Sequence, residues 1–451
     1  MTRLQRHSDG SITLHTGVSV RLPAGTSMLE AEDLLMAAVN QAGAGLTGQL
    51  LSSLDADGCP LVNGDGRTLT AKRLREKRHV ETPYGCVVVE RWAYQFSEGG
   101  VCHYPFDRAA SLIGAATPKF AQMISRKMVE LPAAEVVRDL RENHARAVTV
   151  DFVQRLTGLV GALAQSVIPV AGAGTLPAPG EVASVSIGVD GACPHMGMPA
   201  EAPAGSPPVT DGRKGRIHEW RVSMVGAITL YDKTGERPGT IYAATAPPED
   251  KSQGKTAFWR TMEQEVAAVK ARYPAAIYTG LSDGASDLLP WLKSQTARQV
   301  LDFYHACGYL QAAAGAFAHE VPPEEDPGWW SQEACRHLKE GEGAAAALLV
   351  EMRERPASPA RLGSADRTAL EKAVTHFENN VERMDYAACA AAGLPIGSGV
   401  TEAGCKLLVK KRLRGPGMTW GFTMAGHILR LRALAHSAGG RWAGLWKAII
   451  A

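Results

Sequence analysis

The sequence lacks the cysteine pattern of a disulfide framework or a zinc ribbon. Its eight cysteines are scattered along 451 residues, and no two of them form a CxxC pair. This usage predicts reduced thiols in an intracellular protein. Cys102-His103 could supply half of a zinc site, but the sequence offers no matching second pair, so we do not expect zinc.

Long apolar runs are also missing. No stretch is long enough to span a bilayer, and the N-terminus has no apolar segment of the secretory type. We therefore expect a cytoplasmic protein with no membrane partner. The triplet Gly254-Lys255-Thr256 lacks the glycine that a P-loop needs five residues earlier, where Glu249 stands, and this excludes an ATPase of that type.

Acidic residues are absent from the end of the chain. Between Cys405 and Ala451 there are nine Lys or Arg and no Asp or Glu, although the net charge of the whole chain is only +2. A second basic run, KRLREKR, occupies residues 72–78. Any one run is most often a solvated face, but this segregation of charge favours an anionic partner, most simply nucleic acid.

The first part of the sequence predicts helices around a small β element. Apolar residues at helical spacing predict a helix at 28–51, and alternating Val and aromatic residues predict two strands within 80–96, with a turn at 83–85. Residues 107–163 read as helical. Within them, two short amphipathic helices at 133–142 and 148–160 resemble a helix-turn-helix, a pattern that ordinary helical hairpins share.

After a Gly/Pro-rich linker at 171–180, β-branched runs replace the helical pattern. The expected elements are strands at 182–189, 217–231, 239–246, 275–281 and 299–304, with a helix at 258–273. The order, three strands, helix, strand, helix, strand, is the skeleton of a ribonuclease H-like α/β domain. Residues 307–392 predict a helical insertion, with a Pro/acid break at 321–328.

Three isolated acids occupy positions that suit a divalent metal. Asp190 ends the first predicted strand, Asp283 follows the fourth, and Glu402 begins a helix after the Gly-Ser-Gly turn at 397–399. Neighbouring strand ends are only ~5 Å apart, and carboxylates are the ligands that Mg²⁺ prefers. Singly, an Asp before Gly is usually a turn residue and Glu402 a first-turn acid that the helix dipole favours. Together the three acids are the leading metal-site hypothesis.

His305 follows the fifth predicted strand, in the segment DFYH. There it could touch a scissile phosphate or orient an acid. It could also cap the helix that follows or hydrogen-bond within the core. We assign it a supporting catalytic role.

The helix that begins at Glu402 is otherwise basic. An acid alone at the head of such a helix makes sense if the acid holds a metal while the cations hold a polyanion. The expected DNA-contacting side chains on this segment are Lys406, Lys410, Lys411, Arg412 and Arg414. In the predicted helix-turn-helix region, Arg146 and Arg155 are assigned the same role.

A further pattern is formed by the segments VDGA at 189–192, SDGASDLLPWL at 282–292, DFYHACGYL at 302–310, PIGSGVTEAGCKLLVKKRLRGPGMTW at 395–420 and HILRLRALAHS at 427–437. These segments resemble DDE transposases of the Mutator-like class, and more closely the bacterial ISKra-type insertion-sequence transposases. The upstream segments YGCVVVERWAYQF and ATPKFAQMISRKM are similar to the same family. The resemblance covers most of the chain from about residue 75 onward.

The resemblance implies Mg²⁺-dependent DNA strand cleavage and joining at the ends of a mobile element, with Mn²⁺ as a substitute metal. By motif position, Asp190, Asp283 and Glu402 correspond to the catalytic, metal-holding acids, and His305 to the histidine-bearing motif. The implied partner is double-stranded DNA, both transposon ends and target, bound by at least a homodimer in the cytoplasm, on the nucleoid.

The expected organisation has five parts: 1–107, an N-terminal region with a helix and a β-hairpin; 108–170, a helical DNA-binding domain; 181–310, the first part of the catalytic domain; 311–392, the helical insertion; and 393–451, the last part with the Glu helix and basic tail. Residues 193–216 form a Pro/Gly-rich loop that could reshape the site or act as a DNA-contacting flap. Two other functions remain open: a nuclease or resolvase on the same fold, and a domesticated, non-catalytic DNA-binding regulator.

Overall fold

The computed structural model describes residues 3–166, 176–199, 216–285, 287–320, 328–354 and 362–451. The chain divides into two compact units, Met1–Ile168 with Leu445–Ala451, and Pro169–Gly444. Half of the predicted linker, and most of the 193–216 loop and of the 321–328 break, lie outside the described residues. Within the described ranges, no helix is long and apolar enough to cross a membrane.

The first unit begins with short strands and one long helix and ends with a group of helices. Its strands are β1 (Arg3–Arg6), β2 (Ile12–His15), β3 (Leu61–Val62), β4 (Thr68–Ala71), β5 (Glu76–Glu81), β6 (Cys86–Arg91), β7 (Tyr94–Phe96) and β8 (Gly99–His103). Its helices are α1 (Met28–Ser52), α2 (Pro105–Ala109), α3 (Pro118–Glu130), α4 (Ala133–His144) and α5 (Val150–Ser166).

The predicted helix and hairpin of this unit are confirmed. Helix α1 starts at a capping box in which the Ser27 hydroxyl accepts from the Glu30 amide and the Glu30 carboxylate accepts from the Ser27 amide. Strands β5 and β6 pair as an antiparallel hairpin that closes at Glu81 and Cys86, around the predicted turn. Most apolar residues of α1 are nevertheless exposed, including Leu29 at 72%. Helical spacing therefore predicted the helix but not its burial.

The predicted pair of amphipathic helices is also present, as α4 and α5. Helix α4 ends at Ala145, whose positive φ of 51° is the left-handed conformation that commonly terminates helices. Helix α5 buries one apolar stripe, which includes Val153, Leu156 and Val160. The two helices meet each other and α3 through these stripes.

The second unit is mixed α/β. Its strands are β9 (Ser184–Ala192), β10 (His195–Pro199), β11 (Arg216–Trp220), β12 (Ser223–Tyr231), β13 (Gly239–Thr245), β14 (Ile277–Ser282) and β15 (Arg298–Leu301). Its helices are α6 (Thr256–Arg272), α7 (Leu289–Gln295), α8 (Phe303–Ala313), α9 (Trp329–Glu340), α10 (Ala344–Glu354), α11 (Ser364–Asn380), α12 (Tyr386–Ala391), α13 (Gly399–Gly404), α14 (Lys411–Leu413) and α15 (Phe422–His436). Helix α16 (Arg441–Ile450) ends the chain.

A five-stranded mixed sheet organises this unit, in the order β13-β12-β9-β14-β15. Strand β12 runs antiparallel to both of its neighbours, whereas β9, β14 and β15 are parallel. The predicted strand at 217–231 is wrong as one element, because Arg216–Trp220 leaves the sheet and pairs with β10 instead. The predicted strand at 299–304 is too long, because the Asp302 side chain accepts from the His305 amide and starts α8.

Glycines on the two faces of the sheet let helices approach closely. A Cβ at Gly226, in β12, would lie 2.2 Å from the sulfur of Met262 on α6. On the other face, a Cβ at Gly188, in β9, would lie 1.9 Å from Oγ1 of Thr401 on α13. Both contacts are too short for any side chain larger than hydrogen. The sheet is therefore covered on both faces, by α6 on one and by α13 on the other.

We predict that Gly188→Ala destabilises the protein by about 1–3 kcal/mol, because the added methyl group overpacks the contact with Thr401. Adding Thr401→Ala removes the colliding hydroxyl and should recover part of the loss. Urea denaturation of the two single variants and the double variant measures this coupling. Strictly additive effects of the two substitutions would contradict the contact.

Candidate active site

Two of the predicted acids lie side by side at one end of the central sheet. Leu281 pairs with Gly188 across the parallel β9–β14 ladder. Asp283 and Asp190 each lie two residues beyond this last pair, so the register brings them to the same end of strands that are about 4.8 Å apart. Asp190 is still within β9, and Asp283 is the first residue after β14. The register therefore brings both acids to one end of the sheet, and their joint binding of a metal stays a prediction.

Asp190 and α13 lie on the same face of the sheet. Side chains alternate along a strand, so Asp190 shares the face of Gly188, against which Thr401 packs. The thiol of Cys405 completes the contact by donating to Oδ2 of Asp190 over 3.4 Å. Asp283 has the same strand parity as Leu281 and Gly188, which places it towards this face as well.

Helix α13 carries Glu402 on the flank away from the outer strands of the sheet. A Cβ at Gly404 would lie 3.0 Å from the Tyr242 ring of β13 and 3.3 Å from Val225 of β12, so this flank of the helix covers the outer strands. Helical spacing of 100° per residue puts Glu402 on the opposite flank, away from these outer strands. Glu402 is half-buried there. The three acids therefore belong to one face and one end of the sheet.

The helix that carries Glu402 changes its winding directly after it. Residues Cys405–Lys410 are π-helical, and α14 continues the same helical path. The buried guanidinium of Arg432, on α15, donates to the Leu407 carbonyl within this segment. Such single-turn π segments are common at functional sites. No feature of the local sequence had predicted it.

The protonation of the Cys405 thiol is affected by the acids of the site. Burial raises the pKa of this thiol well above its usual range, and the negative charges of Asp190 and Glu402 raise it further. The thiol is therefore protonated at neutral pH and acts as a hydrogen-bond donor to Asp190. Both carboxylates are near enough to act on it electrostatically.

Asp302 ties the helix α8 to the turn that precedes Glu402. One carboxylate oxygen accepts from the His305 amide at 2.8 Å, and the other accepts from the Ser398 amide at 2.5 Å and from the Ser398 hydroxyl. The Ser398 carbonyl in turn accepts from the Glu402 amide at 3.1 Å. Asp302 is 1% exposed. It is a positioning residue, and its structural role was not recognised in the sequence.

His305 lies beside the site but does not touch the acids through any described hydrogen bond. Its side chain is exposed at the first turn of α8. Two residues that sequence reasoning missed, His376 and Arg383, lie closer to Asp283. Arg383 donates to the hydroxyl of Ser282 at 3.3 Å. Burial lowers the pKa of His376 to about 4, with the charges of His305 and Arg383 contributing, so its imidazole is neutral at pH 7.

The donor types at this end of the sheet suit a hard cation such as Mg²⁺, since all three predicted ligands are carboxylates. In the part of the chain that the structure describes, however, no three His, Cys, Asp or Glu side chains are grouped closely enough to hold a metal ion. Carboxylates repel one another, so bringing all three to one point requires the compensating charge of the cation itself. The Asp190 carboxylate instead accepts from the Cys405 thiol, and the Asp283 carboxylate accepts from the Ala285 amide at 3.1 Å.

The basic residues after Glu402 differ in exposure. Lys406, Lys410, Lys411 and Arg414 are exposed, as a phosphate contact requires. Arg412 departs from the expectation: it is 3% exposed, and its guanidinium lies 4.8 Å from the Trp420 ring centroid. DNA contact by the exposed residues stays a prediction, whereas Arg412 is instead part of the packing.

The two arginines predicted to contact DNA from the helical region differ in exposure. Arg146 is 6% exposed, forms an ion pair with Glu81 and donates to the Thr82 carbonyl at 3.1 Å, so it serves the fold rather than a phosphate. Arg155 is exposed but pairs with Asp151 at 2.6 Å on the same helix. Helix α5 therefore presents a balanced rather than a basic surface.

The segment after Asp190 is partly a β-hairpin rather than a loop. Strands β10 and β11 pair, and residues 200–215 between them lie outside the described residues. The Trp420 amide donates to the His195 carbonyl at 3.1 Å, which ties the hairpin to the segment after α14. Trp220 is 59% exposed, with the Arg414 guanidinium 5.0 Å from its ring. The hairpin thus presents an aromatic, basic surface.

We predict that Asp302→Asn destabilises the protein by about 2 kcal/mol. Hydrogen bonds to a charged group contribute about 1.5–3 kcal/mol, and the substitution removes the charged acceptor to which Ser398 donates. The matched control is Asp385→Asn, because Asp385 also caps a helix but is exposed. Asparagine caps helices as well as aspartate does, so the control should be nearly neutral. Equal losses in thermal denaturation would show that Asp302 is only a helix cap.

No protein-family model matches the chain, and no curated protein matches it. The function therefore has to be inferred from the chain's own residues and their arrangement.

Proposed function

We propose that this chain is a DNA transposase of the DDE class, which cleaves and joins DNA strands at the ends of an insertion sequence. The observation that carries the proposal is the placement of Asp190, Asp283 and Glu402. Asp190 lies near the end of β9, Asp283 directly follows the neighbouring parallel strand β14, and Glu402 lies on a helix packed over the same face of the sheet. Carboxylates that converge from three elements are what metal-assisted phosphoryl transfer needs.

The sheet supports a ribonuclease H-like catalytic domain. Numbered along the chain, its five strands have the order 3-2-1-4-5, with the second strand antiparallel to the others. The helices α8 to α12 come between the fifth strand and the helix of Glu402, where the proposed insertion belongs. The resemblance of the sequence motifs to Mutator-like transposases agrees with this arrangement.

Each group of the site has a role in the proposed reaction. Asp190, Asp283 and Glu402 would hold Mg²⁺, which when bound polarises the scissile phosphate and activates the attacking oxygen, water for cleavage or a 3′-hydroxyl for joining. Asp302 and Ser398 fix the first turn of the Glu402 helix. The exposed Lys406, Lys410 and Lys411 would contact the phosphates on either side of the cleaved bond.

A non-catalytic DNA-binding regulator that descends from such an enzyme is the second candidate. It is favoured by one observation, that no three potential ligands are grouped for a metal within the described ranges.

A nuclease on the same fold would share every feature of the site. It differs from a transposase only in failing to join a cleaved end to a target strand.

We predict that Glu402→Gln lowers Mg²⁺-dependent cleavage of a labelled DNA carrying the end of the flanking element by about 10²–10³-fold or more, the loss expected when a group that stabilises the transition state is removed. DNA affinity should be retained, since the variant adds no negative charge. The matched control is Glu263→Gln, an exposed acid on α6 at the opposite face of the sheet.

Equal activity of the wild type and Glu402→Gln would remove Glu402 from the mechanism. Specific binding without cleavage by the wild type would favour the regulator. Cleavage without joining of the end to a second duplex would favour the nuclease.

We predict that the double variant Lys410→Ala/Lys411→Ala reduces the slope of log affinity for duplex DNA against log salt concentration by about 2, because each lysine on a phosphate releases about one counterion. The control is Lys233→Ala/Lys293→Ala, two exposed lysines outside this helix. Fluorescence anisotropy over a salt series measures the slope. An unchanged slope would place the DNA elsewhere on the protein.

A further inference from the structure

A groove opens between α8 and α11, beside Asp283. It consists of two adjoining cavities of about 780 and 960 Å³, which share Tyr309, Thr368 and Lys372 in their walls. One end lies at Gly284, the residue after Asp283, and the other at His305. We call it the α8–α11 groove. It therefore begins next to one of the proposed metal ligands.

The wall of this groove carries a pair of stacked rings. The Tyr309 and His376 rings lie 3.9 Å apart between centroids, with 14° between their planes. Among the described residues, Nε2 of His376 is buried without a hydrogen-bond partner. Uncharged aromatic rings of this kind are the surface on which unpaired nucleic-acid bases stack. A buried polar nitrogen among them suits a base edge that can hydrogen-bond to it.

Cations and amides lie beside these rings. Lys372 is exposed and lines both cavities, while the half-buried Arg383 and the buried Asn380 line the cavity next to Gly284. Lys and Arg are the usual partners of phosphate oxygens, and amide side chains hydrogen-bond to base edges. One acid, Glu371, lies in the same wall. The groove thus combines a phosphate partner, a stacking surface and hydrogen-bonding groups.

We propose that the α8–α11 groove holds an unpaired nucleotide of the DNA strand that continues beyond the cleaved bond, with its base against Tyr309 and His376 and its phosphate at Lys372 and Arg383. This inference rests on the proposed function, which brings a DNA strand to Asp283. Cavities of this size accept a single small organic group, so an intact duplex does not fit inside them.

The test compares a blunt DNA duplex with the same duplex carrying a short single-stranded tail, by fluorescence anisotropy without divalent metal. We expect the tail to strengthen binding by the wild type. Tyr309→Ala should weaken binding of the tailed DNA by about tenfold, since stacking contributes about 1–3 kcal/mol per base and 1.4 kcal/mol is tenfold. Blunt-duplex affinity should stay unchanged.

Three further substitutions distinguish a lost contact from a variant that merely folds badly. Tyr309→Phe keeps the ring and should bind the tailed DNA like the wild type. Lys372→Ala changes an exposed side chain and should weaken binding of the tailed DNA but not of the blunt DNA. Lys339 is an exposed lysine of α9 outside the groove, and Lys339→Ala should affect neither affinity. A free deoxynucleoside monophosphate, added as a competitor at a concentration similar to that of the tailed DNA, should not displace the tail.

Three outcomes would overturn the proposal. If the tailed duplex binds no more tightly than the blunt duplex, the unpaired strand binds elsewhere. The same follows if the tailed duplex still binds more tightly in both the Tyr309→Ala and the Lys372→Ala variants. Efficient displacement by the free nucleotide would make the groove a mononucleotide site instead. If cleavage and blunt-duplex binding persist in these cases, only the groove assignment fails. A wild type that binds neither DNA would refute the proposed function as well.

Discussion

Asp302 is a buried carboxylate that joins two segments 96 residues apart in the chain. A charge with 1% exposure is tolerated only if its oxygens are hydrogen-bonded, and both are: one to the start of α8, the other to Ser398. Because Ser398 starts the helix of Glu402, the Asp302 side chain determines the position of Glu402 relative to the end of β15. The placement of the third acid, and with it the proposed chemistry, depends on this connection.

The other two acids are placed by the sheet alone. Parallel pairing of β9 and β14 brings Asp190 and Asp283 to the same end of the sheet, and the glycine at 188 lets α13 approach until Thr401 touches the strand. A one-residue slip of β14 would turn Asp283 to the opposite face, towards α6. Register and close packing therefore act together: the first aligns the two aspartates, and the second brings the Glu402 helix over them.

Local patterns in the sequence predicted most elements of the central sheet, because alternation along a strand and the Asp-Gly pair after β14 are local signals. They failed where a segment changes its partner. Residues 217–231 have one continuous strand pattern, yet Trp220 pairs with β10 and Ser223 with β9. The π-helical segment after Glu402 and the approach of Arg383 to Ser282 depend on contacts between distant residues, which no local pattern contains. The burial of Arg146 was missed for the same reason.

The helical insertion shares a hydrophobic core with Leu281 of β14 and Leu301 of β15, and this core is distinct from the one between the sheet and α6. Leu310, Phe317 and Trp330 belong to the first core, whereas Val189 and Met262 belong to the second. Elements with distinct cores can open by sub-global unfolding, at a lower free energy than the whole domain. Since Asp302 and Ser398 close the insertion at its base, such an opening would stay confined to the helices beyond them. Amide protons of α10 and α11 would then exchange with solvent while those of β9 stay protected.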